Sequence, residues 1–412
     1  MGSLFKTLFR DGRSIPIGIK LIVLVIFLRA LGWGFADPLF PLYLNQFSEE
    51  YSVVGSLVSI MQIGSFLMLI PLIRLGDRVK DGTIIQDGEM VYFFVILCYV
   101  LAGIFHSLPL LILGLFLNGV GQPLIVDGAE SYIRRHDPGS KSAPFGFYVA
   151  MDNFGWVLGM VIGAFLIRYY SLNTMFLWVL PSIFLSFFIL PRVHERGIRS
   201  FFQGFRKYFH RKEDFLGIIA DAKALNPKVF FFLLLAFFDG VLRMFSFTFI
   251  PLFGLSMNLS MGSISLLMAV MYLPFVFSFF FSELEDRLPR MNMIALGLFI
   301  AALSYGLLFL IVQQASLILL IAMTSFSMAI IRPAYQGAIT RLTLRSQSGE
   351  ITAFHNLVER LGRISGPLVT GFVADVYGLK TTFLAVGIAA FALGILSLCL
   401  RGYNTIVAAE AS

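Results

Sequence analysis

Apolar runs of about 20 residues, the length a helix needs to cross a bilayer, alternate along the chain with short polar turns. They predict six spans in the first half, over residues 17–45, 52–75, 88–106, 109–133, 143–168 and 172–191. Six more follow, over 227–254, 260–282, 291–314, 316–341, 350–376 and 380–401. Between the halves lies one long polar stretch, Arg192 to Lys228, with nine Lys or Arg against four acids. A segment this basic between two apolar halves reads as a cytoplasmic linker. Phe201, Phe202, Phe205, Tyr208 and Phe209, interleaved with its bases, fit an amphipathic helix on the lipid surface and equally an exposed basic loop. The expected fold is an all-α integral membrane protein of twelve transmembrane helices. Its two six-helix bundles are residues 1–191 and 227–412, joined by the linker 192–226.

Composition agrees. The chain is 58% hydrophobic and 13% charged, where a soluble domain is about 25% charged. The +7 net charge does not imply nucleic acid as a partner, because the bases cluster at span ends; the expected partners are the lipid bilayer and a small-molecule substrate, for a monomer. Cys98 and Cys399 both sit in apolar spans, so neither a disulfide framework nor a metal site is implied. The first apolar run follows Lys6, Arg10, Arg13 and Lys20 without a small-residue cleavage signature, and reads as a retained span.

The bases also set orientation. Alternate turns carry Arg74, Arg78 and Lys80, then Arg134, Arg135 and Lys141, then the central stretch, Arg287 and Arg290, and Arg341 and Arg345; Arg401 closes the last span. The opposite turns hold only Arg168 and Lys380. The positive-inside rule then expects both termini in the cytoplasm of a cell-membrane protein.

The halves read as copies. Asp77-Arg78 answers Asp286-Arg287, Pro41 answers Pro251, and Pro123 answers Pro333. Phe147, Asp152, Gly155 and Gly159 fall 207 residues before Phe354, Glu359, Gly362 and Gly366. Twelve spans in two repeats, a basic central loop and an acid-Arg turn after spans two and eight resemble the major facilitator superfamily, over nearly the whole chain. The family's loop pattern is G-x-L-x-D-R-x-G-R-[RK]. The second copy, Asp286-Arg287-Leu288-Pro289-Arg290, keeps the acid and both Arg without the glycines; the first keeps Asp77 and Arg78 but has Ile73 and Lys80-Asp81 at other pattern positions. Proton-driven drug antiporters of the family carry an Arg in span four before Q-G-x-G, and G-x-x-x-G-P-x-x-G-G in span five. Here Leu115 stands at the Arg position, before Asn118-Gly119-Val120-Gly121. Gly155, Gly159 and Gly163 keep the span-five spacing, with Met160 for Pro and Ala164 for the last Gly. Span eleven holds Gly362, Gly366 and Pro367. Close helix packing explains such glycines as well as function does.

Charges inside spans are expensive and mark function. They fall at Arg29 and Asp37, Asp127 and Glu130, Asp152, Asp239 and Arg243, Arg332, and Glu359 and Arg360. The resemblance implies that spans one, four, seven and ten line the central cavity, and seven of these ten charges lie there. Arg29, Trp33, Asp37, Asp127, Glu130, Asp239, Arg243, Arg332 and Tyr335 are therefore the candidates for substrate binding or ion coupling. Asp77, Arg78, Asp152, Asp286, Arg287, Glu359 and Arg360 are the candidates for gating. Under the repeat alignment Arg29 and Asp239 lie at equivalent depth, so Arg29 is expected to meet an acid, Asp239 first and Asp37 second. Asp239 with Arg243, and Glu130 with Arg134, could equally pair along one helix.

No phosphate-binding Gly loop, metal-ligand cluster or nucleophile constellation is present, and the five His do not cluster in the sequence. An enzyme is not expected, nor any cofactor; an ion gradient, most simply of protons, would drive the cycle. The leading expectation is alternating-access efflux of small organic or lipophilic compounds by proton antiport. Arg29 and Arg243 keep open an organic-anion or sugar-phosphate carrier working by symport or exchange, and a lipid flippase on the same fold is the third reading.

Overall fold

The computed structural model describes residues 15–75, 81–136, 143–190, 227–277, 289–311, 313–342 and 348–410. Residues 192–226 of the central basic stretch, Asp77, Arg78, Asp286 and Arg287 lie outside these residues. Among the described residues all regular structure is helical: α1 Ile17–Ala36, α2 Phe40–Asn45, α3 Tyr51–Leu75, α4 Asp81–Phe105, α5 Leu108–His136, α6 Ala143–Leu166, α7 Leu180–Ile189, α8 Pro227–Ser256, α9 Met261–Val276, α10 Arg290–Leu310, α11 Gln314–Leu342, α12 Ser348–Tyr377 and α13 Leu379–Glu410. Two 3-10 turns, Asp37–Leu39 and Met175–Val179, lead into α2 and α7.

Nine of these stretches are long and apolar enough to cross a membrane, and Met175–Ile189 and Met261–Val276 are shorter apolar helices. α12 is equally long, at 30 residues, but spends part of its length on Glu359, Arg360 and Arg363. Together they fill the twelve expected spans. Boundaries move: α13 runs on to Glu410, past the expected end at 401, and the third span starts at Asp81 and not at residue 88. Its buried positions Gly82, Ile85, Glu89, Tyr92, Ile96 and Tyr99 recur every three or four residues, one continuous helical face. The helix therefore runs straight through the polar residues that the sequence placed in a turn.

Proline breaks the first span and not its repeat. Pro38 and Pro41 lack the N–H that an α-helix needs, and the chain between α1 and α2 tightens into the turn Asp37–Leu39. Pro71, Pro123, Pro251, Pro274, Pro333 and Pro367 lie inside helices, as membrane helices tolerate when neighbours re-satisfy the freed carbonyls. The outer faces are apolar: Phe93, Phe94, Leu97, Phe188, Leu319, Phe372 and Phe391 are all exposed. Such a surface suits lipid tails and would be costly in water.

The chain divides into two compact units. Unit 1 is Met1–Phe47, Leu57–Phe215 and Ser260–Ala269; unit 2 is Ser48–Ser56, Leu216–Leu259 and Val270–Ser412. In unit 1, α1 packs on α6 and α4 on α5; in unit 2, α8 packs on α12 and α10 on α13 and α11. Phe40, Tyr43, Tyr99 and Phe176 form an aromatic core in unit 1, and Phe245, Phe253, Tyr305 and Phe383 do so in unit 2. Tyr99 and Tyr305, and Phe176 and Phe383, are 206 and 207 residues apart, so the repeat extends to the cores. In unit 2 the Asp375 carboxylate accepts the Tyr51 and Ser52 N–H groups, each at 2.8 Å, and so caps the free donors that open α3.

Candidate functional site

Glycine packing builds a charge cluster in each unit. On α6, a Cβ at Gly155 would come within 2.8 Å of Phe27 O, and one at Gly159 within 2.4 Å of Leu31 O and 2.8 Å of Gly34 Cα. α1 and α6 therefore meet backbone to backbone, as small residues at four-residue spacing allow. In unit 2, Gly362 lies against Phe237 O, Gly366 against Val241, and Gly240 against Glu359 O. The acid one turn before each glycine pair, Asp152 or Glu359, is thereby set beside the charges of α1 or α8.

In unit 1 the acid that meets Arg29 is Asp152, at 3.9 Å. Arg29 is buried, at 4% exposure, and its guanidinium lies 6.0 Å from the Trp156 ring. Asp37 opens the turn after α1 and interacts electrostatically with Arg29. Trp33 packs on Tyr92 with ring centroids 5.1 Å apart, which brings α4 to the same place. Glu89, one turn before Tyr92 on α4, is fully buried and also feels Arg29. One cation thus faces three carboxyl groups: Asp37, Glu89 and Asp152.

Glu130 pairs with Arg134 one turn along α5, at 3.3 Å, and the buried Asp81 pairs with Arg135 at 3.6 Å. Asp127 is half-buried on α5 and also has an interaction partner.

In unit 2, Asp239 is paired with Arg243 along α8 at 3.6 Å and accepts the Tyr335 hydroxyl at 3.1 Å. Arg332 on α11 reaches both oxygens of Glu359 at 3.4 Å, and Arg363, one turn on along α12, closes on the same carboxylate. His355 lies beside Tyr335, ring centroids 5.5 Å apart, and the Arg243 guanidinium rests 5.5 Å from the Phe275 ring. Here three cations face two acids, the reverse of unit 1. Arg360 has an interaction of its own, but the cation on Glu359 from its own helix is Arg363.

The sequence therefore named Arg29, Asp152, Asp239, Arg243, Arg332, Tyr335 and Glu359, all of which lie in these clusters. It did not single out Glu89, Tyr92, His355 or Arg363. The signal for Arg363 was the i,i+4 spacing from Glu359; for Glu89 it was the buried stripe that α4 continues back to Asp81.

Helices with an apolar outside and ion-paired charges within each unit define a polytopic membrane protein. The chain belongs to the Major Facilitator Superfamily, whose family model matches residues 22–273 and 231–407, and it is a membrane transporter, not an enzyme. It is 22% identical over 368 residues to the quinolone resistance protein NorA of Staphylococcus aureus (strain COL), spanning 88% of this chain and 91% of that protein. It is 24% identical over 391 residues to multidrug resistance protein 1 of Bacillus subtilis (strain 168), spanning 90% and 95%. Its fold is shared with a POT family transporter crystallised with a thioalcohol-conjugated peptide, at a TM-score of 0.78 and 13% identity over 94% of this chain and 96% of that one. The nucleoside transporter NupG superposes at a TM-score of 0.75 and 13% identity, over 94% and 99%.

Proposed function

We propose that this transporter exports small lipophilic organic compounds across the cell membrane by alternating access, in exchange for protons. The observation that carries the reading is the acid surplus of unit 1, where, among the described residues, Arg29 is the cation acting on Asp37, Glu89 and Asp152. Carboxyl groups buried beyond the number of nearby cations are ones for which taking up a proton is favourable. Two relatives named for drug resistance support the direction and the substrate class. In this reading the protein works as a monomer without a cofactor, and both termini and the linker 192–226 between the bundles face the cytoplasm.

The test uses purified protein in phosphatidylethanolamine–phosphatidylglycerol vesicles with an imposed pH gradient, and ethidium and a quinolone as probes. Gradient-dependent movement that a protonophore abolishes is the expected result. Movement indifferent to the protonophore, or none above empty vesicles, would sink the antiport reading. The three Arg of unit 2 against Asp239 and Glu359 favour a second reading, transport of compounds bearing a carboxylate or phosphate; a panel of organic anions in the same vesicles separates the two.

A further inference from the structure

The buried face of α4 carries an acid that no ion pair among the described residues explains. Glu89 is 0% exposed, and neither carboxyl oxygen has a hydrogen-bond partner among the described residues. It lies eight residues along α4 from Asp81, about 12 Å at the helical rise, well inside the apolar stretch. Its chain neighbour Gly88 is pressed against Leu124 and Ile125 of α5, so the backbone here is held close to α5.

The groups around it are few. From α1 come Arg29 and, in the turn that follows, Asp37; Arg29 is already shared with Asp152 at 3.9 Å. From α4 itself comes Tyr92, a neighbour of Arg29; Asp81 at the start of the helix is paired with Arg135, and Asp87 has an interaction of its own. From α5, Arg134 is held by Glu130, Tyr132 stacks on His136, and Asp127 has its own partner. Met175–Val179 and α7 offer no titratable side chain. α7 does offer Ser186, close enough to act on Glu89, but its hydroxyl proton is donated to Ser182 O at 2.9 Å. A hydroxyl brings no counter-charge: it can accept from a carboxylic acid or turn to donate to a carboxylate.

We propose that Glu89 is a proton-binding residue of the transport cycle, holding its proton in this conformation. An O–H bond forms on a Glu89 carboxyl oxygen with a proton taken from water on one side of the membrane. It breaks again to water on the other side, with no redox step. While the proton is held, the Arg29 guanidinium serves Asp152; once it leaves, the ionised Glu89 competes for Arg29, which ties proton release to the contact between α1 and α6. The role in coupling rests on the proton-antiport reading above; the protonated state does not.

Two measurements on the full-length protein decide it. Infrared difference spectra of the reconstituted transporter, taken across a pH titration, are expected to show the C=O stretch of a buried carboxylic acid, lost in Glu89→Gln and shifted in Glu89→Asp. A band unchanged in both variants overturns the proposal, and the Asp variant decides alone if the Gln variant does not fold. In vesicles, Glu89→Gln should lose ethidium accumulation driven by a pH gradient but keep ethidium exchange at equal pH. Accumulation retained at the wild-type level overturns the coupling role. Wild-type protein that shows the band but no gradient-driven movement overturns the antiport reading, and the coupling role of Glu89 falls with it.

Discussion

Glu359→Gln is the perturbation that most directly asks whether the charges of unit 2 hold one another. Gln keeps the volume of Glu, so no cavity opens. What changes is charge: Glu359 is 3% exposed and is the counter-ion of Arg332, at 3.4 Å, and of Arg363. At an effective dielectric of about 20, a contact of that length is worth about 5 kcal/mol of attraction. Most of it offsets desolvation, so the pair adds little when whole. Breaking it strands the partners, which costs about 3–5 kcal/mol in buried cases. Arg332 is about one-third exposed and can turn to water, so the lower end of that range is expected. Equilibrium unfolding in mixed detergent–SDS micelles reads the loss. The informative variant is the double one, Glu359→Gln with Arg363→Gln: it removes a stranded cation and should be less destabilised than the sum of its parts by about 1–3 kcal/mol. Wild-type stability for Glu359→Gln, or strict additivity in the double variant, would refute a coupled buried network.

Gly159→Leu should cost about 1–3 kcal/mol through overpacking, because the first side-chain atom already lies 2.4 Å from Leu31 O. Gly146→Ala, on the same helix with nothing within 4 Å, should gain up to about 1 kcal/mol from helix propensity; equal effects in the same unfolding assay would refute backbone contact between α1 and α6. Tyr335→Phe removes the hydrogen bond to the buried Asp239 and should cost about 1.5–3 kcal/mol, so unchanged stability would mean that Asp239 does not depend on it. Cysteines placed singly in residues 192–226, with Cys98 and Cys399 replaced, should react with an impermeant thiol reagent only after the cells are opened; labelling of intact cells would reverse the topology.

The fold was legible because a bilayer imposes one ruler on every span, and charges in the turns are counted independently of it. The third span shows the limit. A ruler that stops at charge stops too early where the charge is buried among protein side chains, and so Asp81 to Asp87 read as a turn and Glu89 as its edge. The glycine spacing was legible as packing, and the 207-residue repeat of Asp152 and Glu359 marked two acids that each meet an Arg within their own unit. Which cation each would meet was not. Within unit 1, Asp152 is brought to Arg29 by how closely Gly155 and Gly159 let α6 approach α1. That approach depends on three-dimensional contact, which spacing along one helix does not contain. Asp239 was open to an intrahelical partner from the start, because i,i+4 spacing is a local property, and within unit 2 Arg243 is that partner.

The two units use one packing device to opposite electrical ends. In each, small residues on the fifth helix of the repeat draw it against the first, and an acid one turn earlier comes along. In unit 1 that acid joins two others around a single guanidinium, leaving a surplus that protons can neutralise one at a time. In unit 2 the same acid is enclosed by Arg332 and Arg363, with Arg243 and Asp239 alongside, and the surplus is positive. A proton added to Glu359 would have to displace two guanidinium contacts, whereas one added to Glu89 displaces no ion pair. The difference in ligation, not in burial, is what separates a structural carboxylate from one free to titrate: Glu89 and Glu359 are both hidden from solvent. Under the proposed exchange for protons, proton binding falls to unit 1, and the Arg-held acid of unit 2 serves stability and keeps three cations together in one place.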